Sequence, residues 1–320
     1  MFKQTAEQQL KTLLVNKPKD TAIVKKDSTI TPSQYPFPVF ALCPPVYVDT
    51  AITNNPWMKS EEPIDKEKFL AQWYNFYNLI ASCSLIYLIT PIRGLQDQTY
   101  VNCAMYLPHA SPDTIILSNF TAPGRSGEEW VAGDLFQDLG YTIEQSPYKF
   151  EGEPELKYIR DNIYLGFWGI RTDKTTHSWL EKKYNCKIIL VHVTDDKLYH
   201  GDCFAFPLGR ENLLLCTDLI TPAEVKQIEK VVNIIPVSKS AAYMGICNSV
   251  KVSDVIFNCS DMQFLKHTEE EYKKEYKKNE ELDKICSDLG METIYCDLSE
   301  CEKSGAYLSC FCMHLNWRDD

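Results

Sequence analysis

Short apolar runs alternate with amphipathic segments along the chain from residue 39 onward. Apolar residues at three- and four-residue spacing predict helices, and the short runs between them predict buried strands. The predicted helices are Lys66–Leu79, Glu128–Leu139, Thr175–Tyr184, Pro222–Val231 and Lys266–Leu289. The predicted strands are Val39–Cys43, Leu85–Ile89, Thr114–Leu117, 141–144, Asn162–Phe167, Lys187–Val193, Leu213–Cys216, Val255–Asn258 and Met291–Leu298, with others beginning near Tyr199 and within 243–250. The order strand, strand, helix, strand recurs about five times.

The chain divides into an N-terminal extension and one large domain. Residues 1–38 mix charge with short apolar runs and finish in the proline-rich stretch Thr31–Pro38, which is typical of a linker. No further linker interrupts residues 39–320, so we expect a single domain there. A chain of 320 residues is long enough to bury a substantial core.

Charge and cysteine content narrow the function classes. The net charge of -11 disfavours a nucleic-acid partner. The sequence shows neither a membrane span nor a secretory signal. The 13 cysteines, an odd number that lies mostly in apolar runs, favour a reducing cytoplasmic location. Only Cys310 and Cys312 are close in sequence, and no second cluster completes a zinc site.

The segment from Lys303 to Leu315 is the first candidate for chemistry. A small turn containing Gly305 leads to Cys310, and an apolar run follows. A permissive turn can present a thiol to a bound substrate. The alternative is a terminal strand with Cys310 and Cys312 buried on one face.

Four other loops carry polar residues near the mouths of apolar strands. His200 has a pKa range suited to proton transfer, and Asp202 would share its face if both lay in a strand. Glu151 opens an acidic stretch that could hold a cation. Arg125 and Arg171 precede predicted helices and could grip a carboxylate. The alternatives are a structural histidine, an exposed acidic turn and surface arginines.

Seven motifs occur in the order of the guanidine-modifying, or pentein, superfamily, which the chain resembles over residues 39–316. This superfamily includes arginine deiminases, dimethylarginine hydrolases, amidinotransferases, citrullinases and arginine dihydrolases. The motifs are Leu42-Cys43-Pro44-Pro45 with Asn55-Pro56-Trp57-Met58, Gly94-Leu95-Gln96-Asp97 with Asn102, Arg125-Ser126-Gly127-Glu128, Glu151-Gly152 with Glu155, Gly169-Ile170-Arg171-Thr172-Asp173, Tyr199-His200 with Asp202, and Lys303-Ser304-Gly305 with Cys310. The first of these resembles the citrullinase and arginine dihydrolase branch.

The resemblance implies an α/β fold, a five-bladed pseudo-symmetric propeller of ββαβ units with its site in the central channel. It also implies the roles of individual residues. Cys310 would be the nucleophile, His200 the general acid and base, and Glu151 a carboxylate beside them. The implied substrate-binding residues are Asp97, Asn102, Arg125, Arg171, Asp202 and Asn55. No cofactor or metal is implied.

The residue types then favour one reaction. Asp202 prefers free N–H donors, which disfavours dimethylarginine, and Asn102 can bind a neutral ureido group as well as a cation. We therefore expect arginine dihydrolase activity on a small-molecule substrate, arginine, citrulline or a related guanidino compound. Arginine deiminase, citrullinase, dimethylarginine hydrolase and amidinotransferase remain alternatives. Because Tyr307 and Pro154 replace glycines of the family pattern, a non-catalytic amino-acid-binding protein also remains open, as does a homo-oligomer.

Overall fold

Five three-stranded sheets and seven helices form the part of the chain that this computed structural model describes, residues 30–59 and 61–317. The strands are β1 Val39–Leu42, β2 Leu85–Leu88, β3 Ala104–Leu107, β4 Ser111–Leu117, β5 Thr142–Gln145, β6 Leu156–Arg160, β7 Ile163–Trp168, β8 Lys187–His192, β9 Ala205–Pro207, β10 Asn212–Leu215, β11 Asn233–Pro236, β12 Val250–Val252, β13 Val255–Cys259, β14 Glu292–Cys296 and β15 Met313–His314. The helices are α1 Lys66–Ala81, α2 Glu128–Asp138, α3 Lys174–Tyr184, α4 Pro222–Ile228, α5 Lys239–Tyr243, α6 Glu270–Asp288 and α7 Ser299–Glu302.

All five sheets share one connectivity. The first two strands pair antiparallel, a helix follows, and the third strand returns parallel to the second, as in β6, β7, α3 and β8. The sheet of β15, β1 and β2 has the same pattern, but its first strand comes from the other end of the described chain. The repeated strand, strand, helix, strand order predicted from sequence is therefore confirmed.

The predicted helices are confirmed with small changes at their ends, and their caps explain where they begin. Asp65 accepts a hydrogen bond from the backbone of Lys68 and so caps α1. Thr221 and Glu224 form a reciprocal capping box at α4. The largest difference is at α6, which begins at Glu270 rather than at Lys266 and is preceded by a separate 3-10 turn, Met262–Phe264.

Helix α1 packs an apolar face against the sheet of β15, β1 and β2. In α1 the buried side chains of Phe69, Trp73, Phe76 and Ile80 recur at helical spacing and join a cluster that includes Phe311. Burying each of these large side chains contributes about 1.5–3 kcal/mol. The C-terminal turn beside Cys310 is thereby attached to the core through the ring of Phe311.

The first strand of each sheet begins just after a buried polar residue. Asn102 precedes β3, Asp202 precedes β9, Asn248 precedes β12 and Cys310 precedes β15. Glu151 similarly stands shortly before β6. Side chains from five sheets are thus delivered by five equivalent loops.

Two local predictions are wrong. His200 and Asp202 do not share a strand, because Gly201–Cys203 forms a 3-10 turn before β9. Cys310 and Cys312 do not share a strand face either, because Leu308–Phe311 is a 3-10 turn and the strand begins only at Met313. Both turns lie just before a strand. The backbone there is not yet paired in a sheet, so it can present a side chain.

The proline-rich stretch is held against the body of the protein. The side-chain amide of Asn316 donates to the carbonyls of Pro32, Tyr35 and Phe37 at 3.2, 3.3 and 3.0 Å. The rest of the predicted N-terminal extension, residues 1–29, lies outside the described residues. Within residues 30–59 and 61–317, every helix is too short or too polar to cross a membrane.

Candidate active site

A buried thiol stands at the centre of the site. Cys310 is 7% exposed and lies in the turn Leu308–Phe311. Its carbonyl accepts a hydrogen bond from the backbone N–H of Val101 at 2.6 Å, and its own N–H donates to Tyr307 at 3.2 Å. These two bonds fix the backbone of the turn, so the position of the sulfur is set by the fold.

A carboxylate, an imidazole and a guanidinium form a buried cluster. The Nε2 of His200 lies 2.8 Å from Oε2 of Glu151, and Nη1 of Arg171 donates to the same oxygen at 3.2 Å. The other oxygen of Glu151 accepts the backbone N–H groups of Thr121 and Ala122 at 3.0 and 3.2 Å. Each of these hydrogen-bond partners is a donor to the carboxylate, which favours its ionised form.

The protonation states follow from these contacts. Burial raises the pKa of Glu151, but the His200 bond and the Arg171 charge outweigh it and lower that pKa to about 2. Burial also lowers the pKa of His200 below its usual value, although Glu151 partly opposes this effect. The imidazole is therefore neutral near neutral pH and can accept a proton. Burial, together with the charge of Asp202, raises the pKa of the Cys310 thiol to about 12.

Arg125 stands on the other side of the site in a second buried ion pair. Its Nη2 donates to Oε2 of Glu128 at 2.7 Å and to the carbonyl of Tyr100 at 2.5 Å. Burial raises the pKa of the Glu128 carboxyl to about 8, and Arg125 only partly offsets this. Asp97 accepts from the side-chain amide of Asn54, and burial raises its pKa, against the charge of Arg125.

Asp202 and Asn55 connect the site to the C-terminal loop. Oδ2 of Asp202 accepts the hydroxyl of Ser309 at 2.7 Å. The side-chain amide of Asn55 donates to the carbonyl of Ser304 at 2.8 Å, and its oxygen accepts the backbone N–H of Trp57. Both residues are buried, and both hold the loop that carries Cys310.

Two cavities meet at Cys310 and His200. We call the smaller one the inner recess; its volume is about 20 Å³ and its lining includes Asn55, Asp97, Asn102, Arg125 and Arg171. We call the larger one the outer cavity; its volume is about 290 Å³ and its lining includes Trp57, Lys197, Tyr243, Asn248 and Tyr307. Of the nine residues predicted from sequence, seven line the inner recess. Glu151 bonds to His200 of that lining, and Asp202 bonds to Ser309, the neighbour of Cys310 in the chain.

The buried carboxylates outnumber the buried arginines. Arg125 and Arg171 are the cations, whereas Asp97, Glu128, Glu151, Glu155 and Asp202 supply carboxyl groups, all at most 8% exposed. Burial, with Glu151 and Asp202 nearby, raises the pKa of Glu155 well above its usual value. A cationic ligand would relieve this repulsion, so the electrostatics suit a guanidinium group. The acidic stretch from Glu151 to Glu155 is not an exposed turn.

One glycine in this stretch is required by its surroundings. Gly152 has φ +68°, and a Cβ there would lie 2.5 Å from the carbonyl oxygen of Asn102. Only glycine lets the loop of Glu151 approach the backbone of Asn102 so closely. The two loops are thereby brought together beside the inner recess.

Tyr307 fits the loop because another glycine makes room for it. Gly245 has φ +78°, and a Cβ there would lie 3.0 Å from the Tyr307 ring. The ring therefore packs on a backbone without a side chain, and it lines the outer cavity. The departure from the family pattern at this position is accommodated by the neighbouring sheet's loop.

Sequence reasoning missed several residues of the site. Asn248 contacts the thiol, Glu128 pairs with Arg125, and the ring of Tyr199 lies 4.5 Å below the guanidinium of Arg171. Glu128 and Tyr199 stand inside the motifs without a predicted role, whereas the signal for Asn248 is its position. It stands two residues before the first strand of its sheet, as Asn102 does.

Sequence comparison finds relatives among cyanobacterial enzymes. The chain is 26% identical over 225 residues to the bifunctional arginine dihydrolase/ornithine cyclodeaminase AgrE of Nostoc sp., a match that covers 68% of this chain and 31% of AgrE. It is also 26% identical over 223 residues to ArgZ of Synechocystis sp., which has the same description, with 67% and 31% covered. The chain thus matches about a third of the length of each. No protein-family model matches it.

Solved structures share the fold over most of the described chain. The N-terminal domain of ArgZ, a cysteine-to-serine variant bound to substrate, superposes with a TM-score of 0.75 at 22% identity, covering 87% of this chain and 98% of that domain. AgrE with L-arginine gives 0.76 at 22% identity, covering 88% and 41%. DDAH of Pseudomonas aeruginosa with citrulline gives 0.67 at 17% identity, covering 88% and 100%.

The fold and these relatives indicate the same group of similar proteins. The chain has the mixed α/β fold of the pentein proteins, with five small sheets that correspond to five repeats. The resemblance to the guanidine-modifying superfamily is thereby confirmed, and the similar proteins within it are the arginine dihydrolases ArgZ and AgrE.

Proposed function

We propose that this chain is a cysteine-dependent arginine dihydrolase, which converts arginine to ornithine, ammonia and carbon dioxide. The observation that carries the proposal is the convergence of Cys310 and His200 on the inner recess, with Glu151 bonded to the imidazole. The fold shared with the arginine-bound dihydrolases supports it.

We further propose that the five sheets are blades of a propeller around a central channel. The first strands of the sheets begin at the site residues, and four of them run to a third cavity, of about 280 Å³, which is lined by Ile159, Pro207, Lys251 and His314. Strands that all begin beside the site and run to the same cavity surround one axis. In this arrangement the site occupies one mouth of the channel.

In the first half-reaction the Cys310 sulfur adds to the guanidinium carbon. A free thiol with a pKa of about 12 is a poor nucleophile, but a bound cation lowers that pKa, and neutral His200 can accept the proton. His200 then donates the proton to the departing ammonia, which leaves a thiouronium adduct on Cys310. The Glu151 carboxylate stabilises the imidazolium of His200 while His200 holds the proton.

In the second half, water replaces the sulfur. His200 takes a proton from water, the hydroxide adds to the same carbon, and the C–S bond breaks to give citrulline and the free thiol. A second round on the ureido carbon releases another ammonia and a carbamate, which decomposes to ornithine and carbon dioxide. Arginine and two waters thus give ornithine, two ammonia and carbon dioxide.

The inner recess supports a second round on the neutral product. Asn102 has an amide that donates as well as accepts, so it can bind a ureido oxygen, whereas a carboxylate would repel that oxygen. Arg125 and Arg171 are proposed to bind the substrate carboxylate, and Asp97 and Asp202 the cationic nitrogens. Asn55 is proposed to shape the recess, because its own amide is bonded to Ser304 and Trp57.

A product assay tests the proposal. Purified protein is incubated separately with arginine, citrulline, agmatine and dimethylarginine, and ornithine, citrulline and ammonia are quantified, with Cys310→Ser as the control. Ornithine from arginine without accumulated citrulline is the expected result. Citrulline alone would assign a deiminase, and ornithine from citrulline only would assign a citrullinase. No product, together with no labelling of Cys310 by a haloacetamidine, would assign a binding protein and overturn the proposal.

A further inference from the structure

One of the five loops that precede the first strands has no assigned part in the site. Asn102, Glu151, Asp202 and Cys310 account for four of the loops. The fifth, before β12, places Asn248 at the corresponding point, 2% exposed and on the wall of the outer cavity. By analogy with the other four loops, Asn248 is the side chain that this loop would contribute to the site.

Asn248 contacts both the thiol and the backbone beside it. Its Oδ1 accepts the backbone N–H of Ser309 at 2.9 Å. Its Nδ2 lies 3.8 Å from Sγ of Cys310 and its Oδ1 lies 3.9 Å from the same sulfur. Because the Ser309 N–H can pair only with the oxygen, the orientation of the amide is fixed. The NH₂ group is consequently the donor available to the sulfur.

A buried polar network holds the loop of Asn248 in place. The side-chain amide of Asn258 donates to the carbonyl of Gly245 at 2.9 Å and to the hydroxyl of Ser249 at 2.8 Å. Its oxygen accepts the ammonium of Lys278 at 3.0 Å, and Lys278 in turn donates to Glu275 at 2.6 Å. A buried ion pair is costly unless it is well bonded, and Lys278 has bonds to both Glu275 and Asn258. Asn258 in turn bonds to Gly245 and Ser249, and these bonds fix the loop on either side of Asn248.

We propose that Asn248 belongs to the reacting centre, where its side-chain N–H donates to the sulfur of Cys310 in the thiolate form. The same side chain orients the turn through Ser309, and the Lys278–Asn258 network is a positioning device for it. The inference rests on the proposed function in one respect, since it takes Cys310 as the nucleophile.

A hydrogen bond to an ionised acceptor is stronger than one to a neutral acceptor. The donor therefore stabilises the thiolate more than the thiol. This increases the fraction of Cys310 in the nucleophilic form. Removing the donor should therefore reduce the thiolate population by about tenfold or more. The effect belongs to the free protein and does not require substrate.

The experiment measures how fast Cys310 is alkylated by iodoacetamide as a function of pH. Site-specific mass spectrometry separates Cys310 from the other cysteines. Asn248→Asp keeps the acceptor for Ser309 but places a carboxylate oxygen against the sulfur. We expect the rate near neutral pH to fall at least about tenfold, with the rise in rate shifted to higher pH. Asn248→Ser, which is smaller, should give a change in the same direction and serves if the first variant does not fold.

The matched control is Asn279→Asp, because Asn279 is also buried but bonds to Ser260, away from the thiol. It should leave the alkylation profile of Cys310 unchanged. An Asn248 variant that lowers the melting temperature yet retains the wild-type profile at Cys310 would overturn the inference. The product assay is separate: a wild-type protein that forms no product would refute the proposed function, whereas a shifted profile would still establish the contact with the thiol.

Discussion

Replacing Glu151 with glutamine is the most informative single change that the structure suggests. Both oxygens of Glu151 accept hydrogen bonds, one from His200 and Arg171 and the other from the backbone of Thr121 and Ala122. Glutamine has the same shape but must turn its NH₂ group toward donors on one side or the other. The variant therefore loses both the charge and at least one set of bonds in a buried place.

The expected loss of stability follows from the pKa of this carboxyl. It falls from the ordinary 4.5 to about 2, because bonds from His200 and Arg171 outweigh the opposing effect of burial. Each tenfold change in proton affinity is worth about 1.4 kcal/mol, so the ionised form stabilises the fold by about 3 kcal/mol. Since the folded pKa is depressed, this stability is present above about pH 4.5 and is lost as the pH falls toward 2.

The assay is equilibrium unfolding by denaturant at a series of pH values. Glu151→Gln should be less stable than wild type by about 3 kcal/mol near neutral pH, and the difference should shrink below about pH 4.5. Glu62→Gln, at an exposed pair with Lys59, is the control and should change little. A Glu151→Gln protein as stable as wild type at neutral pH, or a difference independent of pH, would refute this account of the cluster.

Two further predictions concern the inner recess. Asn102→Asp should raise the ratio of citrulline to ornithine formed from arginine, because a carboxylate cannot donate to the ureido oxygen of the intermediate product; an unchanged ratio in timed product analysis would argue against this role. Gly152→Ala should cost about 1–3 kcal/mol in backbone strain and lower turnover further through displacement of the Asn102 backbone. Unfolding and steady-state rates check it, with Gly209→Ala, which has open space around it, as the control for strain alone.

Much of the fold could be predicted from the pattern of apolar residues. The helical spacing of Phe69, Trp73 and Phe76 identified α1, and the succession of elements identified the repeat. The pattern did not identify the 3-10 turns at His200 and Cys310. A turn of three or four residues has too little periodicity to be distinguished from the start of a strand. The conformation of these two turns depends on tertiary contacts: Val101 bonds to Cys310, and Ser309 bonds to Asp202.

The residues of the candidate site could be selected from the sequence, but the contacts among them could not. The motifs selected Cys310, His200 and Glu151, and the structure brings them to one place. That Arg171 bonds to Glu151 depends on the distance between two loops, which sequence spacing does not encode. Of the two alternatives for Arg125 and Arg171, surface residues or carboxylate clamps, burial excludes the first.

The measurement that tests the central claim most directly is the mass of Cys310 after rapid acid quenching of the protein with arginine. The account predicts that the peptide containing Cys310 gains the mass of arginine less ammonia, with fragment ions placing the gain on Cys310 rather than on Cys312. The adduct should be absent from Cys310→Ser, which should also lose turnover. Turnover that continues in Cys310→Ser, or an adduct found on a different cysteine, would contradict the account.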